Sequence, residues 1–304
     1  MSAEAGSRHL GLDLGGTNVK WAVVERAGDA WESLERGQVA TPQPPQPPAV
    51  LAALCEIGTR ALELRPDVAS VGLGVPGLYD PVAGTTRFLP NLGGWQDVAV
   101  APPLAEALGR PVRLINDARA FGLAELRLGA GRGASTMVGL TIGTGVGGVV
   151  AVDGRVHLGH DGTAGELGHQ TLDPDGPPCT CGNRGCLETF ANADAIARAC
   201  GTAGVEEAVT RARAGEDRAV EGMREIGRRL GIGLGNLVSV LTPDRIVIGG
   251  GVAAAAELFL GTVWEELRRR VHTTALDELA IVTAELGPWA GATGAAVHGA
   301  EGTR

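Results

Sequence analysis

Residues 10–24 read Leu10-Gly11-Leu12-Asp13-Leu14-Gly15-Gly16-Thr17-Asn18-Val19-Lys20-Trp21-Ala22-Val23-Val24. Apolar residues flank a glycine pair on both sides, the pattern of two strands joined by a tight turn. Residues 137–152 repeat the arrangement, with Gly143-Thr144-Gly145-Val146-Gly147-Gly148 at the turn. One glycine hairpin is common and carries little weight. Two of them, each opening its own run of strands and helices, point to a duplicated α/β nucleotide-binding fold. Gly15, Gly16, Gly143, Gly145 and Gly147 let backbone N–H groups approach phosphate oxygens with no Cβ in the way. Thr17 and Thr144 add hydroxyl donors. Asp13 repels a phosphate but can hold Mg²⁺ through water; the alternative is a carboxylate that caps its own turn.

Strand and helix alternate around these hairpins. Residues 41–48 carry five prolines and form a rigid connection that neither a helix nor a central strand accommodates. Apolar spacing predicts helices over 49–64, 102–108, 118–128, most of 193–241, and 253–270. Strands are expected at 68–75, 112–115, 245–248 and 281–284, and a closing helix of small residues at 291–299.

Asn116-Asp117 ends the strand Val112-Arg113-Leu114-Ile115 and precedes a helix. A helix N-cap would use the same residues. A carboxylate at the C-terminal end of an α/β strand also points into the crevice where such sheets bind ligands, and there it can take the proton of an attacking hydroxyl. Gly249-Gly250-Gly251 is a strand-to-helix turn against which a flat base could lie. Asn91, in Pro90-Asn91-Leu92, suits either a hydroxyl contact or a turn.

Three of the five cysteines, Cys179, Cys181 and Cys186, follow His169 closely, with Glu166 and Glu188 at either end of the segment. One imidazole and three thiolates complete a tetrahedral Zn²⁺, and a site closed by four protein ligands is structural. Glu166 and His169 are three residues apart, so on a helical turn they share a face. A metal on one ring nitrogen fixes the tautomer and leaves the other to donate a hydrogen bond. The combination suggests a zinc-braced pocket for a polyol. Cys55 and Cys200 lie in alanine-rich helical context and read as small buried hydrophobes.

The 304 residues suffice for two domains, and a 44% hydrophobic content with 20% charged residues is that of a globular chain. A net charge of −9 argues against nucleic acid or an anionic membrane as the main partner. Lys20 is the sole lysine, so no Walker-type loop exists. No export signal or membrane span is visible, and cysteines clustered for metal suit a reducing, cytoplasmic setting.

Taken together, these residues resemble the ROK family of repressors and sugar kinases, within the actin/hexokinase/Hsp70 superfamily. The resemblance covers about 10–299, and its most specific piece is C-x-C-G-x-x-G-C-x-E, met by Cys179, Cys181, Gly182, Gly185, Cys186 and Glu188. The Ala164-Gly165-Glu166-Leu167-Gly168-His169 segment matches as well. The resemblance implies a duplicated actin-like ATPase (ribonuclease H-like) α/β fold with the active site in the cleft between two domains. The small domain is expected at 1–115, completed by a C-terminal helix near 290–304, and the large one at 116–289 with its zinc segment at 169–186.

By the same resemblance Asp117 is the general base, and Asn91, Asn116, Asp117, Glu166, His169 and Glu188 bind sugar. Asp13, Gly15, Gly16, Thr17, Gly143, Thr144 and Gly145 form the phosphate loops, and Gly249, Gly250 and Gly251 flank adenosine. Zinc is held by His169, Cys179, Cys181 and Cys186. The implied activity is transfer of the γ-phosphoryl group of Mg²⁺·ATP to a hexose 6-hydroxyl, glucose first. An N-acetylhexosamine, mannose, fructose or a cyclitol is the alternative acceptor. A sugar-sensing regulator is a further alternative, disfavoured because only twelve residues precede Asp13 and leave no room for a DNA-binding module. A homodimer or homotetramer is implied too. Many members carry a basic residue directly after the D-x-G-G-T threonine. This chain has Asn18 there, with Lys20 two positions on and on the same strand face.

Overall fold

The computed structural model describes residues 6–89 and 92–301. The chain begins with β1 (Ser7–Leu14), β2 (Asn18–Ala27), β3 (Ala30–Ala40), α1 (Pro47–Leu64), β4 (Val68–Val75), β5 (Leu78–Asp80) and β6 (Thr85–Phe88). Next come α2 (Ala101–Leu108), β7 (Val112–Asn116), α3 (Asp117–Leu128), β8 (Met137–Ile142), β9 (Val146–Val152) and β10 (Arg155–Val156). Then follow α4 (Leu187–Ala191), α5 (Ala193–Cys200), α6 (Val205–Arg213), α7 (Asp217–Leu241), β11 (Arg245–Gly249), α8 (Leu260–Arg270), β12 (Ala280–Thr283) and α9 (Ala290–Glu301).

Two compact units result, one from the described residues of 1–132, 158–164 and 286–304, the other from 133–157 and 165–285. Their sheets have one topology. The first runs β3-β2-β1-β4-β7 and the second β10-β9-β8-β11-β12. In each, the opening hairpin and its third strand are antiparallel, and two further strands add in parallel beside the first. The repeat expected from the two glycine hairpins is therefore a repeat of whole sheets.

In the first unit, β4 is buried along nearly its whole length. Such a strand, covered on both faces, reads as a continuous apolar run rather than an alternating one. Leu10, Leu12, Leu14, Val71, Leu73 and Val75 join the core with Val50, Leu54 and Leu104 from α1 and α2. Helix α9 seats on the sheet because the contact positions lack side chains. A Cβ on Gly11 would fall 1.8 Å from the Ala292 carbonyl oxygen, and one on Gly72 would fall 1.8 Å from that of Ala295. A Cβ on Gly294 would meet the Ala120 carbonyl oxygen of α3 at 1.7 Å. This close α3–α9 packing keeps α3 in the first unit. The boundary consequently falls after residue 132 rather than at the expected 115.

The second unit packs β8 and β11 against α5, α7 and α8 through Leu140, Ile142, Ile196, Ile226, Leu230, Ile248 and Leu267. The helix expected over 253–270 is interrupted. A 3₁₀ helix covers Gly251–Leu258, and Phe259 leaves helical geometry at φ −131° before α8 begins. The break drives the Phe259 ring into the core, where it is fully buried. Strands β3, β5, β6 and β10 are not visible in the sequence pattern. β3 is a half-exposed edge strand rich in charge, and such strands lack the alternation that marks a buried face. Among the described residues no helix is long and apolar enough to cross a membrane.

Candidate active site

In the first unit the β1–β2 turn is closed by a hydrogen bond from Gly15 N–H to the Asn18 carbonyl at 3.0 Å. The carbonyls of the turn are tied back into the protein. Thr41 Oγ1 donates to Gly15 O at 2.7 Å, Thr41 N–H to Thr17 O at 2.8 Å, and Gln43 Nε2 to Gly16 O at 2.9 Å. Gly16 and Thr17 are exposed, and no atom lies within 4 Å of where a Cβ on Gly16 would be. The turn thus presents bare backbone to open space, as a phosphate-binding turn must.

Asp13 lies just before this turn, directly across the hairpin from Lys20. Burial pushes its carboxyl up to about 7, the charge of Asp117 pushes the same way, and Lys20 opposes both. Gly291, at the start of α9, makes room for this group, since a Cβ there would fall 2.4 Å from Asp13 Oδ2. Asp13 and Asp117 sit at the C-terminal ends of parallel strands β1 and β7, so both carboxylates occupy the ligand-binding edge of one sheet. A carboxylate held above its usual range by burial, and then by a second carboxylate, is an oxygen donor suited to a hard divalent cation.

Asp117 opens α3 and is exposed. Asn116 is its N-cap, so the capping alternative holds for that residue. Its Oδ1 accepts from Ala118 N–H at 3.0 Å, Arg119 N–H at 3.3 Å and Arg119 Nη1 at 2.7 Å. Its Nδ2 donates to the Gly77 carbonyl at 3.2 Å. One amide hydrogen is then left for a ligand. Asn91 lies outside the described residues.

In the second unit the β8–β9 turn repeats the first. Gly143 N–H donates to Gly145 O at 2.9 Å, Gly143 O accepts from Ala193 N–H at 2.7 Å, and Gly143 again faces space with no atom within 4 Å. Thr144 is exposed beside it. Gly250 follows β11 at φ +83°, and a Cβ there would lie 2.3 Å from the Ile142 carbonyl oxygen, so glycine is required. Gly251 is open.

Glu166, exposed, immediately precedes the 3₁₀ turn Leu167–His169, and its side chain makes no capping bond to it. The Nδ1 of His169 lies 3.6 Å from Cys179 Sγ, and Cys181 Sγ lies 3.8 Å from Cys186 Sγ. The four ligand atoms are within 4.8 Å of one another. Tetrahedral zinc, with bonds of about 2.3 Å to sulfur and about 2.0 Å to nitrogen, requires edges of about 3.8 Å between sulfurs and about 3.6 Å between sulfur and nitrogen. The donor set and both short edges fit. Gly182 at φ +93° and Gly185 at φ +62° supply the turns that fold the cysteines around one point. Burial, and then the hydrogen bonds of Cys181 and Cys179, push the Cys186 thiol up to about 12. Three thiolates this close need a cation to persist.

Glu188, in the first turn of α4, is tied in more firmly than the sequence suggests. Its Oε2 accepts from Val146 N–H at 2.8 Å, and its Oε1 lies 3.9 Å from Cys179 Sγ. It therefore links the cysteine segment to the second glycine hairpin. This contact could not be read from spacing alone, because it joins residues 42 positions apart in the chain. Arg119 was missed for a different reason: an arginine on a helix is ordinarily solvated. Here every residue of α3 from Ala118 to Leu126 is buried, and that run of apolar neighbours was the available signal.

The ROK family model matches residues 9–299. Among curated relatives, the glucokinase of Thermotoga maritima is 32% identical, covering 94% of this chain and 95% of its own. A putative xylose repressor of a Caldicellulosiruptor species is 31% identical over 88% of this chain and 70% of its own length. Among solved structures, the ROK hexokinase of Thermus thermophilus superposes with a TM-score of 0.87 at 38% identity, covering 97% of this chain and 98% of that one. A ROK glucokinase of Streptomyces griseus in complex with glucose and AMPPNP gives 0.81 at 31% identity, covering 97% and 100%.

Proposed function

The chain belongs to the ROK family, and from that premise we propose that it is a cytoplasmic hexose kinase transferring the γ-phosphoryl group of ATP to a sugar 6-hydroxyl, with glucose the first acceptor. One observation carries the reading: Asp117, the prospective base, and Asp13, the prospective metal-binding carboxylate, share the ligand-binding edge of one sheet, close enough to influence each other's charge. The Thermotoga maritima glucokinase and the Streptomyces griseus glucokinase match nearly end to end, and the latter is in complex with glucose and AMPPNP.

In this reading the exposed turns at Gly15-Gly16-Thr17 and Gly143-Thr144-Gly145 donate backbone N–H groups to the nucleotide's phosphates, and Gly249-Gly250-Gly251 flanks its base. Asp13 would hold Mg²⁺, which supplies charge neutralisation on the phosphates. Asn116, Asp117, Glu166, His169 and Glu188 would be the residues that bind sugar hydroxyls, with Asn91 a further contact. Asp117 accepts the proton of the attacking 6-hydroxyl as its oxygen bonds to phosphorus and ADP departs. Orientation and fixed charge supply most of the acceleration, because little covalent work falls to the protein.

His169, Cys179, Cys181 and Cys186 would hold a structural Zn²⁺, which fixes the imidazole so that Nε2 is presented toward Glu166 and the sugar. Assembly as a homodimer or homotetramer belongs to the same reading. The test is ADP release over a panel of glucose, mannose, fructose, N-acetylhexosamines and cyclitols. Turnover with glucose ahead of the rest supports the assignment. Turnover with none of them refutes it.

A further inference from the structure

Arg119 is the largest charged side chain among the fully buried ones, with 2% of its surface exposed. Among the described residues its guanidinium donates three directed hydrogen bonds. Nη1 donates to Asn116 Oδ1 at 2.7 Å, Nε to the Ala164 carbonyl at 2.9 Å, and Nη2 to the Thr163 carbonyl at 2.8 Å. A planar fork with fixed donor directions holds two successive carbonyls and a third acceptor at once, which an ammonium cannot do. We propose that Arg119 is a positioning residue for acceptor binding, fixing both the Asn116 amide and the segment 158–164 that leads into Glu166. The proposal rests on the kinase reading above.

Two consequences follow from the geometry. Three donors face Asn116 Oδ1, so the amide has one orientation and turns its Nδ2 hydrogens toward the Gly77 carbonyl and the ligand. Asn116 therefore offers the sugar a donor and no acceptor, and it selects an oxygen whose lone pair faces it. The second consequence concerns the segment 158–164, which packs with the first unit. Thr163 Oγ1 donates to Asp161 Oδ1 at 2.6 Å within it, and Gly162 lies against Tyr79 and Pro81. The Tyr79 phenol is itself buried, which pushes it up, while the nearby Arg119 charge and Asn116 backbone act the other way. Tyr79, Asn116 and Arg119 thus group together in the first unit, with the segment held to them through Arg119 and lying near Tyr79. Buried polar groups bonded as Asn116 and Arg119 are hold one arrangement rigidly.

The experiment uses Arg119→Met and Arg119→Lys in the full chain, with steady-state kinetics, calorimetric sugar binding and hydrogen exchange of residues 158–164. We expect sugar KM and Kd to rise by about tenfold or more in Arg119→Met, the scale of losing a hydrogen bond to a charged donor. ATP KM should stay within about twofold, because uniform loss of acceptor binding leaves the nucleotide side untouched. Exchange in 158–164 should quicken in both variants, since one ammonium replaces only one of the three bonds. If Arg119→Met does not fold, Arg119→Lys decides on the same readouts. Unchanged sugar KM, Kd and exchange alongside a merely lower melting temperature would overturn the proposal and leave Arg119 a structural residue. Sugar binding and exchange are read without turnover, so an unaltered protein inactive toward every sugar would count against the function and leave these measurements standing.

Discussion

The Nε2 of His169 stands 3.9 Å from Glu166 Oε2, while the Nδ1 of the same ring faces the Cys179 sulfur at 3.6 Å. One imidazole therefore joins a metal-type cluster to an exposed carboxylate, and the orientation of the second is set by the first. On the proposed function, stability and acceptor affinity would be coupled through that ring. Removing a cluster ligand should cost both at once.

Metal analysis of the purified protein is accordingly expected to find one zinc per chain. Cys181→Ser should release it, lower the melting temperature, and weaken sugar binding by about 10–100-fold, the range seen when the groups orienting a site are removed. ATP affinity measured without sugar should change little. Zinc-free protein with full sugar affinity would contradict the coupling.

Asp13 predicts a pH dependence of stability. Its carboxyl is raised from 3.8 to about 7, chiefly by burial and then by Asp117. A raised carboxyl favours the protonated form in the folded state. Its contribution is therefore fully present below pH 3.8 and is lost as pH rises through about 7. Asp13→Asn, which carries no titrating group, should match the unaltered protein in stability at low pH and exceed it increasingly up to neutrality, with kinase activity lost. Mg²⁺ should narrow the gap at pH 8 by favouring the ionised carboxylate. A gap independent of pH, or of opposite sign, would show that Asp13 is not held this way.

The turn glycines separate a binding role from a folding role. Gly143 faces open space, so Gly143→Ala should change stability by no more than about 0.5 kcal/mol. Its methyl group enters the region assigned to phosphate, and ATP turnover should fall by up to about 10²-fold through misplacement. Gly250→Ala behaves oppositely. Its backbone lies at φ +83°, with Ile142 O 2.3 Å from the new Cβ, and about 1–3 kcal/mol of stability should be lost from backbone strain alone. Thermal melts beside ATP KM values for both variants check this pair.

Much of this architecture was legible because its signals are local. The two glycine hairpins announced two sheets, and the strand 68–75 and the helix α3 stand where apolar spacing puts them, α3 starting one residue early. The cysteine ligands converge because Gly182 and Gly185 occupy positions that only glycine tolerates easily. What was hidden depends on contacts between distant residues. The α3–α9 approach at Gly294 moved the unit boundary, and the Val146 N–H on Glu188 committed a carboxylate that spacing leaves open. Arg119 looks like a surface residue until the helix around it is seen to be buried on every side.

The most direct test of the account is kcat for ADP release with glucose, compared between the unaltered protein and Asp117→Asn. The substitution removes the proposed proton acceptor and keeps the size of the side chain. A fall in kcat of about 10²–10⁴-fold, with glucose Kd changed by less than about threefold, is the predicted result. A kcat close to that of the unaltered protein would contradict it.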